Sequence, residues 1–269
     1  MLVDFHSHSF ESDGTLSPTD LFAAMTARGV EAFSVTDHDS LGAYTALSEF
    51  ADARLVTGIE LNTTYRGGEV HILGYGFPTD APEIGDVLAE HRRRREERVR
   101  ETVARLVRLG YDLSLEEVRA EAAHPGTALG RPHVARALVR NGYCRDIEGA
   151  FRDLLGAGKP AYVPIRYLGP QEAIGLVARV GGVAVLAHPG RLADDAIVEE
   201  LVEAGLAGIE VFYPLHDPAA VARFRELAAR YGLVMTAGSD FHDLRWNARG
   251  VGMDVERDDI APFLELVGG

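Results

Sequence analysis

The chain has 269 residues, 46% of them hydrophobic and 25% charged, and a formal net charge of −14 at pH 7. Its mean hydropathy of −0.03 and pI near 5.1 are those of an ordinary globular protein. So acidic a balance argues against indiscriminate binding to duplex nucleic acid, which depends on cationic surface. The single cysteine, Cys144, excludes an intrachain disulfide and fits a reducing cytosol.

The N-terminus lacks the basic-then-apolar pattern of a secretory signal. The most apolar stretch, AIGLVARVGGVAVLAHPG, is broken by Arg179 and paired glycines, and reads as a helix end, a turn and a buried strand. A cytoplasmic protein without membrane contact is expected. The length suits one large domain, or one domain carrying an insert.

In chain order, LVDF reads as a strand, followed by the helix SPTDLFAAMTARG with Ser17 as N-cap, Pro18 in its first turn and Gly29 as its stop. AFSVTDHD is a strand, SLGAYTALSEFAD a helix, and RLVTGIELNTTY and EVHILGYGF are strands. From Pro78 to about Pro160 only helical patterns occur, among them SLEEVRAEAA with a Ser114/Glu117 capping box. In EIGDVLAEHRRRREERVRETVARLVRLG, the residues Val99, Val103, Leu106 and Val107 are spaced for a buried stripe. The arginines are then expected on a solvated face, paired with Glu96, Glu97 and Glu101 at i±4. Beyond Pro160, QEAIGLVARVG leads to VAVLAHPG, DAIVEELVEAG to GIEVFYP, and PAAVARFRELAARYG to LVMTAGSDFH. Strands alternating with such helices predict parallel β/α units. About seven readable strands predict barrel-like closure over residues 1–78 and 160–269, with 79–159 as a helical insert over the mouth.

In β/α barrels, chemistry gathers at the carboxyl ends of the strands. His6 and His8 end the first strand on one face, by its two-residue period, and Asp13 follows in the loop. His38 ends the second strand, Glu60 lies on the third, and His71 on the next. His188 ends VAVLAHPG, and Asp240 and His242 end the last clear strand. Each histidine alone reads as an ordinary hydrogen-bonded residue. Gathered on one rim, buried imidazoles and carboxylates are costly unless something pairs them. Divalent cations do so, and nitrogen and oxygen donors without thiolate suit zinc, iron or manganese. Asp4, Asp37 and Asp39 are candidate acceptors for orienting ligand histidines, whereas Asp243 reads as polar loop.

The motifs DFHSHSFESDGTLSP, VTDHDS, GIE, AHPG and GSDFH, in that order, resemble those of the polymerase and histidinol phosphatase (PHP) family along nearly the whole chain. The resemblance implies an α/β fold, a distorted TIM-like (β/α)7 barrel, holding two or three divalent metals. It implies phosphoester hydrolysis by metal-activated water, in line and without a covalent intermediate. One metal would take His6, His8, Glu60 and Asp240, and a second Asp13, His38 and His242. A third would take His71 and His188, with Glu60 bridging. Asp13, His38, Glu60, Asp240 and His242 are the expected catalytic residues; Asp13 stands where many relatives carry histidine. Several divalent ions opposed by three ligand carboxylates would leave the pocket positive, a trap for phosphate inside an acidic protein. Manganese is the first expectation, with iron or zinc next.

Substrate contacts are expected from LGRPHVARAL, GKPAYVP and AHPGR. Arg131 and His133 begin a helix with Pro132, and Lys159, Tyr162 and Arg191 join them. Arg131 and Arg191 are preferred for their bidentate fit to phosphate. Tyr213 and His216 follow another strand and are expected near the pocket, not as ligands. With these motifs the chain looks most like the branch that removes the 3′-phosphate from nucleoside 3′,5′-bisphosphates and trims short 5′-phosphorylated RNA from its 5′ end. The expected partner is thus a small phosphorylated nucleotide or short single-stranded RNA, with no obligate protein partner. Two alternatives are a phosphatase for histidinol phosphate or another small phosphomonoester, and a non-catalytic metal-binding accessory module. A metal-dependent amidohydrolase would share the histidines, but Glu60 fills the bridging position where a lysine would stand.

Overall fold

β1 (Leu2–Asp4) leads through α1 (Pro18–Arg28), β2 (Ala32–Phe33) and α2 (Gly42–Leu47) to the long strands β3 (Gly58–Tyr65) and β4 (Gly68–Tyr75). The computed structural model describes the chain except residues 51–53, 123–126, 128, 193–194, 245–246, 248 and 269. The ends of two expected helices, at 51–52 and 123, lie outside the described residues. Next come α3 (Pro82–Arg108), α4 (Leu115–Arg119), α5 (Arg131–Arg140) and α6 (Ile147–Ala150), the last running into a π turn at Phe151–Leu155. The chain then alternates α7 (Pro170–Arg179), β5 (Val183–Leu186), α8 (Ala196–Glu203), β6 (Gly208–Phe212), α9 (Pro218–Tyr231) and β7 (Val234–Ala237). It finishes with β8 (Met253–Asp254) and α10 (Arg257–Val267). No described helix is long and apolar enough to cross a membrane.

The strands form two sheets, ordered β2-β1-β8 and β3-β4-β5-β6-β7. Single bridges join them at Ser7–Phe241, Phe33–Leu55 and His38–Glu60. β1–β2, β5–β6 and β6–β7 are parallel, as the alternation of strands and helices requires. β1–β8, β3–β4 and β4–β5 are antiparallel, so the expected parallel β/α units make up only part of the sheets. The cause is local. Only Arg66 and Gly67 separate β3 from β4, at φ 48° and 83°, the mirror-image turn that matches strand twist. Two residues cannot make a parallel crossover.

One apolar cluster packs Ile59, Leu61 and Ile72 against Val177, Leu201 and Phe224. Another sets Phe5 edge-on to Phe263, with ring centroids 4.8 Å apart, beneath Tyr75. Residues 79–159 contain no strand among those described, and Val99, Val103, Leu106, Val134 and Leu138 form a separate cluster there. Val107, expected in that stripe, is 53% exposed.

The arginine-rich helix also departs from a wholly solvated face. Arg93, Arg94, Arg100 and Arg105 pair with Glu90, Glu96, Glu97 and Glu101 as i,i+4 spacing allows. Arg95 and Arg98 are buried, because they share an inward stripe with His91 and Thr102.

Asp4 anchors the start of the chain. Its buried carboxylate accepts from the Ser239 N–H (2.9 Å), the Ser239 hydroxyl (2.6 Å) and the Gly252 N–H (2.7 Å). It thereby ties β1 to the segment after β7 and to the approach to β8. The His6 N–H is a fourth, longer donor at 3.4 Å, so Asp4→Ala leaves four donors without their acceptor in a dry site, and should lower the unfolding free energy by about 2–3 kcal/mol. Urea denaturation checks this: the midpoint should fall, and an unchanged midpoint would contradict the role.

Candidate metal centre

Backbone beyond β1 bends at Phe5 and pairs again at Ser7, which bridges Phe241. The Phe5 N–H donates to Ala237 and the His8 N–H to Phe241, so His6 and His8 share one face with ring centroids 5.2 Å apart. His38 arrives through its bridge to Glu60. The hairpin register sets His71 opposite Asn62, on the face that Glu60 shares two residues earlier. His188 follows β5, and Asp240 and His242 follow β7. His188 and Asp240 hold φ of 27° and 50°. Left-handed backbone is costly for a non-glycine residue, and such strain concentrates at functional sites.

Glu60 is the hub. Its Oε2 lies 3.2 Å from His6 Nε2, 3.2 Å from His8 Nε2 and 3.0 Å from His38 Nδ1. Its Oε1 lies 2.7 Å from His71 Nδ1 and 3.1 Å from His188 Nε2. Asp240 Oδ1 is 3.4 Å from His6 Nε2 and 3.2 Å from His8 Nε2, and Asp13 Oδ1 is 3.3 Å from His242 Nε2. Three groups have donor atoms mutually within 4.8 Å: His6, His8, Glu60 and Asp240; His8, Asp13, His38 and His242; and His38, Glu60 and His71. The structure thus gathers all nine expected rim residues. His188 touches Glu60 but stands outside the third group.

Burial would raise the Glu60 pKa, yet the imidazoles of His38, His6 and His71 hold it well below the usual carboxylate range. Asp13 and Asp240 are also held low against the effect of burial, Asp13 by His242 and His38, Asp240 by His6 and His242. Burial pushes His38 and His188 down, toward neutral rings that can act as ligands.

These atoms fit a divalent cation. His6 Nε2, both ring nitrogens of His8, His188 Nδ1, Asp13 Oδ1 and Glu60 Oε2 are buried without a hydrogen bond. The 3.2–3.4 Å spacings from His6 and His8 to Glu60 and Asp240 match the edge of about 3.3–3.4 Å for a tetrahedron of ligands at ~2.0–2.1 Å. Buried donor atoms left without hydrogen bonds are what a cation resolves.

The acceptors behind the rim differ from expectation. None of Asp4, Asp37 and Asp39 bonds a ring of the six rim histidines. Asp37 accepts from Ser9 and Ser12, and Asp39 from His91 Nδ1 (2.9 Å) and Asn62. Glu210 does this work instead. Fully buried on β6, it places Oε1 3.0 Å from His6 Nδ1 and accepts the His188 N–H at 2.7 Å through Oε2. A proton on Nδ1 leaves the His6 Nε2 lone pair facing Glu60 and Asp240. The sequence signal was a lone carboxylate in the apolar strand GIEVF. At Gly238, a Cβ would lie 2.1 Å from His6 Cβ and 2.6 Å from Glu210 Oε1, so only glycine admits this approach.

The expected substrate contacts divide. Arg131 lines a cavity together with Asp13, His38, His71, Arg98 and Tyr167. Arg191 lies on another side, 3.5 Å from Asp240 Oδ2, which also accepts from the Tyr213 hydroxyl at 3.0 Å. His216 braces that loop by accepting the Gly190 N–H. Tyr162 is half-buried, with the Arg98 guanidinium 5.5 Å from its ring centroid. Lys159 is exposed and outside the cavity lining. His133 turns back on its own helix: Nδ1 accepts the Gly130 N–H at 3.1 Å, and burial, aided by Arg136, pushes its pKa down to about 3.

No family model matches the chain. Over 248 residues it is 36% identical to the phosphoribosyl 1,2-cyclic phosphate 1,2-diphosphodiesterase of Eggerthella lenta, covering 90% of this chain and 94% of that protein. It is 33% identical to the 3′,5′-nucleoside bisphosphate phosphatase of Chromobacterium violaceum, covering 97% and 93%. It is 31% identical to the 5′-3′ exoribonuclease Rnm of Escherichia coli, covering 90% and 85%. A solved structure of an amidohydrolase from C. violaceum, with bound sulfate and no metal, matches with a TM-score of 0.88 at 32% identity, covering 98% and 95%.

If Glu210 orients His6, Glu210→Ala should weaken Mn²⁺ binding to chelator-treated protein by about 10- to 100-fold with circular dichroism unchanged. Calorimetric titration reads this, and a wild-type isotherm would contradict it.

Proposed function

Since the chain belongs to the polymerase and histidinol phosphatase (PHP) family and is a phosphoric ester hydrolase, we propose that it removes the 3′-phosphate of nucleoside 3′,5′-bisphosphates. By the same geometry it would trim short 5′-phosphorylated RNA from its 5′ end. The names of the C. violaceum and E. coli relatives support this substrate class. The observation that carries it is the rim itself: Glu60, Asp13 and Asp240, their carboxyls held low, crowded by imidazoles with buried nitrogens that make no hydrogen bond, beside a cavity lined by arginines.

In this reading His6, His8, Glu60 and Asp240 hold one divalent ion, and Asp13, His38 and His242 a second. His71 and His188 hold a third with Glu60, and manganese is preferred over iron or zinc. Such ions supply a Lewis acid for phosphoryl oxygens and lower the pKa of water. The chain's own residues set the geometry. Glu210 fixes the His6 tautomer, and the His242 Nδ1–H donates to the Asp240 carbonyl at 2.9 Å, leaving Nε2 toward Asp13. Tyr213 steadies Asp240, and Arg191, 53% exposed beside it, meets an incoming anion. Residues 79–159 act as a helical cap on a barrel completed by the single bridges, and the setting is the cytoplasm.

A second reading, cleavage of a phosphoribosyl cyclic phosphate, is favoured by the 36% identity to the E. lenta protein. The test incubates metal-reconstituted protein in parallel with adenosine 3′,5′-bisphosphate, 5′-phosphorylated short RNA, phosphoribosyl 1,2-cyclic phosphate and histidinol phosphate. Phosphate from the first and mononucleotides from the second are expected. Turnover confined to the cyclic phosphate or to histidinol phosphate would overturn the choice. Asp240→Asn and His38→Ala should each lower kcat by roughly 10³-fold without unfolding the protein, and retained turnover would remove them from the mechanism.

A further inference from the structure

We infer that His216 is a positioning residue for the metal centre: its imidazole clasps the turn that carries His188 and holds the strained backbone of that ligand in place. The inference rests on the reading of the rim as a cage for divalent cations.

His188 leads from β5 into a single 3-10 turn at Pro189–Arg191, and does so at φ 27° and ψ 60°. A β-carbon makes that backbone costly, and it persists only where the surroundings over-determine it. Two side chains from β6 and the loop after it do so. Glu210 Oε2 accepts the His188 N–H at 2.7 Å, and His216 Nε2 accepts the Gly190 N–H at 3.2 Å. Pro189, between them, has no N–H to give. The turn therefore hangs from the β6 segment by the two N–H groups that flank the proline.

The partners of His216 leave it one tautomer. The Val211 carbonyl, 2.9 Å from Nδ1, can only accept, and the Gly190 N–H can only donate. The ring is thus protonated at Nδ1 and accepts at Nε2. It is wedged between the rings of Tyr213 and the fully buried Phe224, with centroids 5.1 and 4.7 Å away. Its own N–H donates to the Tyr213 carbonyl at 3.0 Å. At Gly190 a Cβ would lie 2.7 Å from both Cδ2 and Nε2 of His216, so the clasp needs glycine there.

What the clasp secures is aim. His188 Nε2 lies 3.1 Å from Glu60 Oε1, while its buried Nδ1 makes no hydrogen bond. His6 has Glu210 behind its ring to fix its direction, and His188 has no such acceptor. The direction of His188 is set by its backbone, and so by Glu210 and His216. Releasing the Gly190 N–H lets His188 relax to ordinary backbone, which swings its ring away from Glu60. His216 stands outside the three ligand groups and acts through Gly190.

The test uses the whole chain. In zinc-loaded protein, ¹⁵N NMR of the His216 ring should show Nδ1 protonated and Nε2 unprotonated. His216→Phe keeps the ring and removes both nitrogens. Its Gly190 amide should exchange with solvent at least about tenfold faster than in wild type. After reconstitution with Mn²⁺ and desalting, it should hold about one equivalent less than wild type by elemental analysis. His216→Gln restores an acceptor for the Gly190 N–H, and should recover both the slow exchange and most of the lost metal. A residue that only fills space would show no such rescue. Gly190→Ala crowds the same contact and should lose the same equivalent, and it carries the test if urea denaturation shows that His216→Phe does not fold. A His216 ring protonated at Nε2, unchanged Gly190 exchange in His216→Phe, or wild-type metal content in both His216→Phe and Gly190→Ala would overturn the inference. If wild type itself takes up no metal, the cage reading fails by itself, and the tautomer and the Gly190 exchange still decide the clasp.

Discussion

Five imidazoles press against the one carboxylate of Glu60, and that crowding is the constraint on which the rest of the structure depends. A carboxylate in a dry interior needs donors, yet Glu60 Oε2 makes no hydrogen bond although His6 Nε2 and His8 Nε2 each lie 3.2 Å away. The backbone is arranged to enforce the crowding. The chain past β1 pairs again with the segment at Phe241 so that His6 and His8 face one way, the hairpin turns His71 inward, and His188 and Asp240 accept left-handed conformations. So many titratable groups buried at one point are costly to hold for stability alone. The arrangement becomes favourable when cations share the lone pairs.

Around that centre the charge is layered. The whole chain is strongly acidic, yet the elements facing the cavity bring Arg95, Arg98 and Arg131 to it, and Arg191 stands beside Asp240. Buried arginines drawn from an otherwise glutamate-paired helix give a local field opposite to that of the surface. Such contrast favours small anions over large polyanions, whose remaining phosphates would meet the acidic exterior.

Much of the centre was legible from residue type and strand position. His6 and His8 at i and i+2, and acids or histidines after successive strands, mark a common rim however the strands pair. α1 was equally readable, since Ser17, Pro18 and Gly29 act within one turn of the chain. The rest depended on long-range geometry. Glu210 looks like a stray polar residue until β6 lies behind His6. Arg95 and Arg98 belong by spacing to a run whose other members are solvated, and only the placement of α3 over the strand ends separates them. His133 resembled a phosphate contact because it opens a helix, but in the fold its ring caps that helix. The antiparallel hairpin was within reach, for Arg66 and Gly67 are too few for a crossover, but the surrounding β/α rhythm outweighed them.

The claim that the rim residues cage divalent cations is tested most directly by elemental analysis of chelator-free protein after reconstitution with manganese, iron or zinc. The account predicts two or three equivalents per chain, falling below one in Glu60→Gln. A well-folded protein retaining less than half an equivalent of every metal would contradict it.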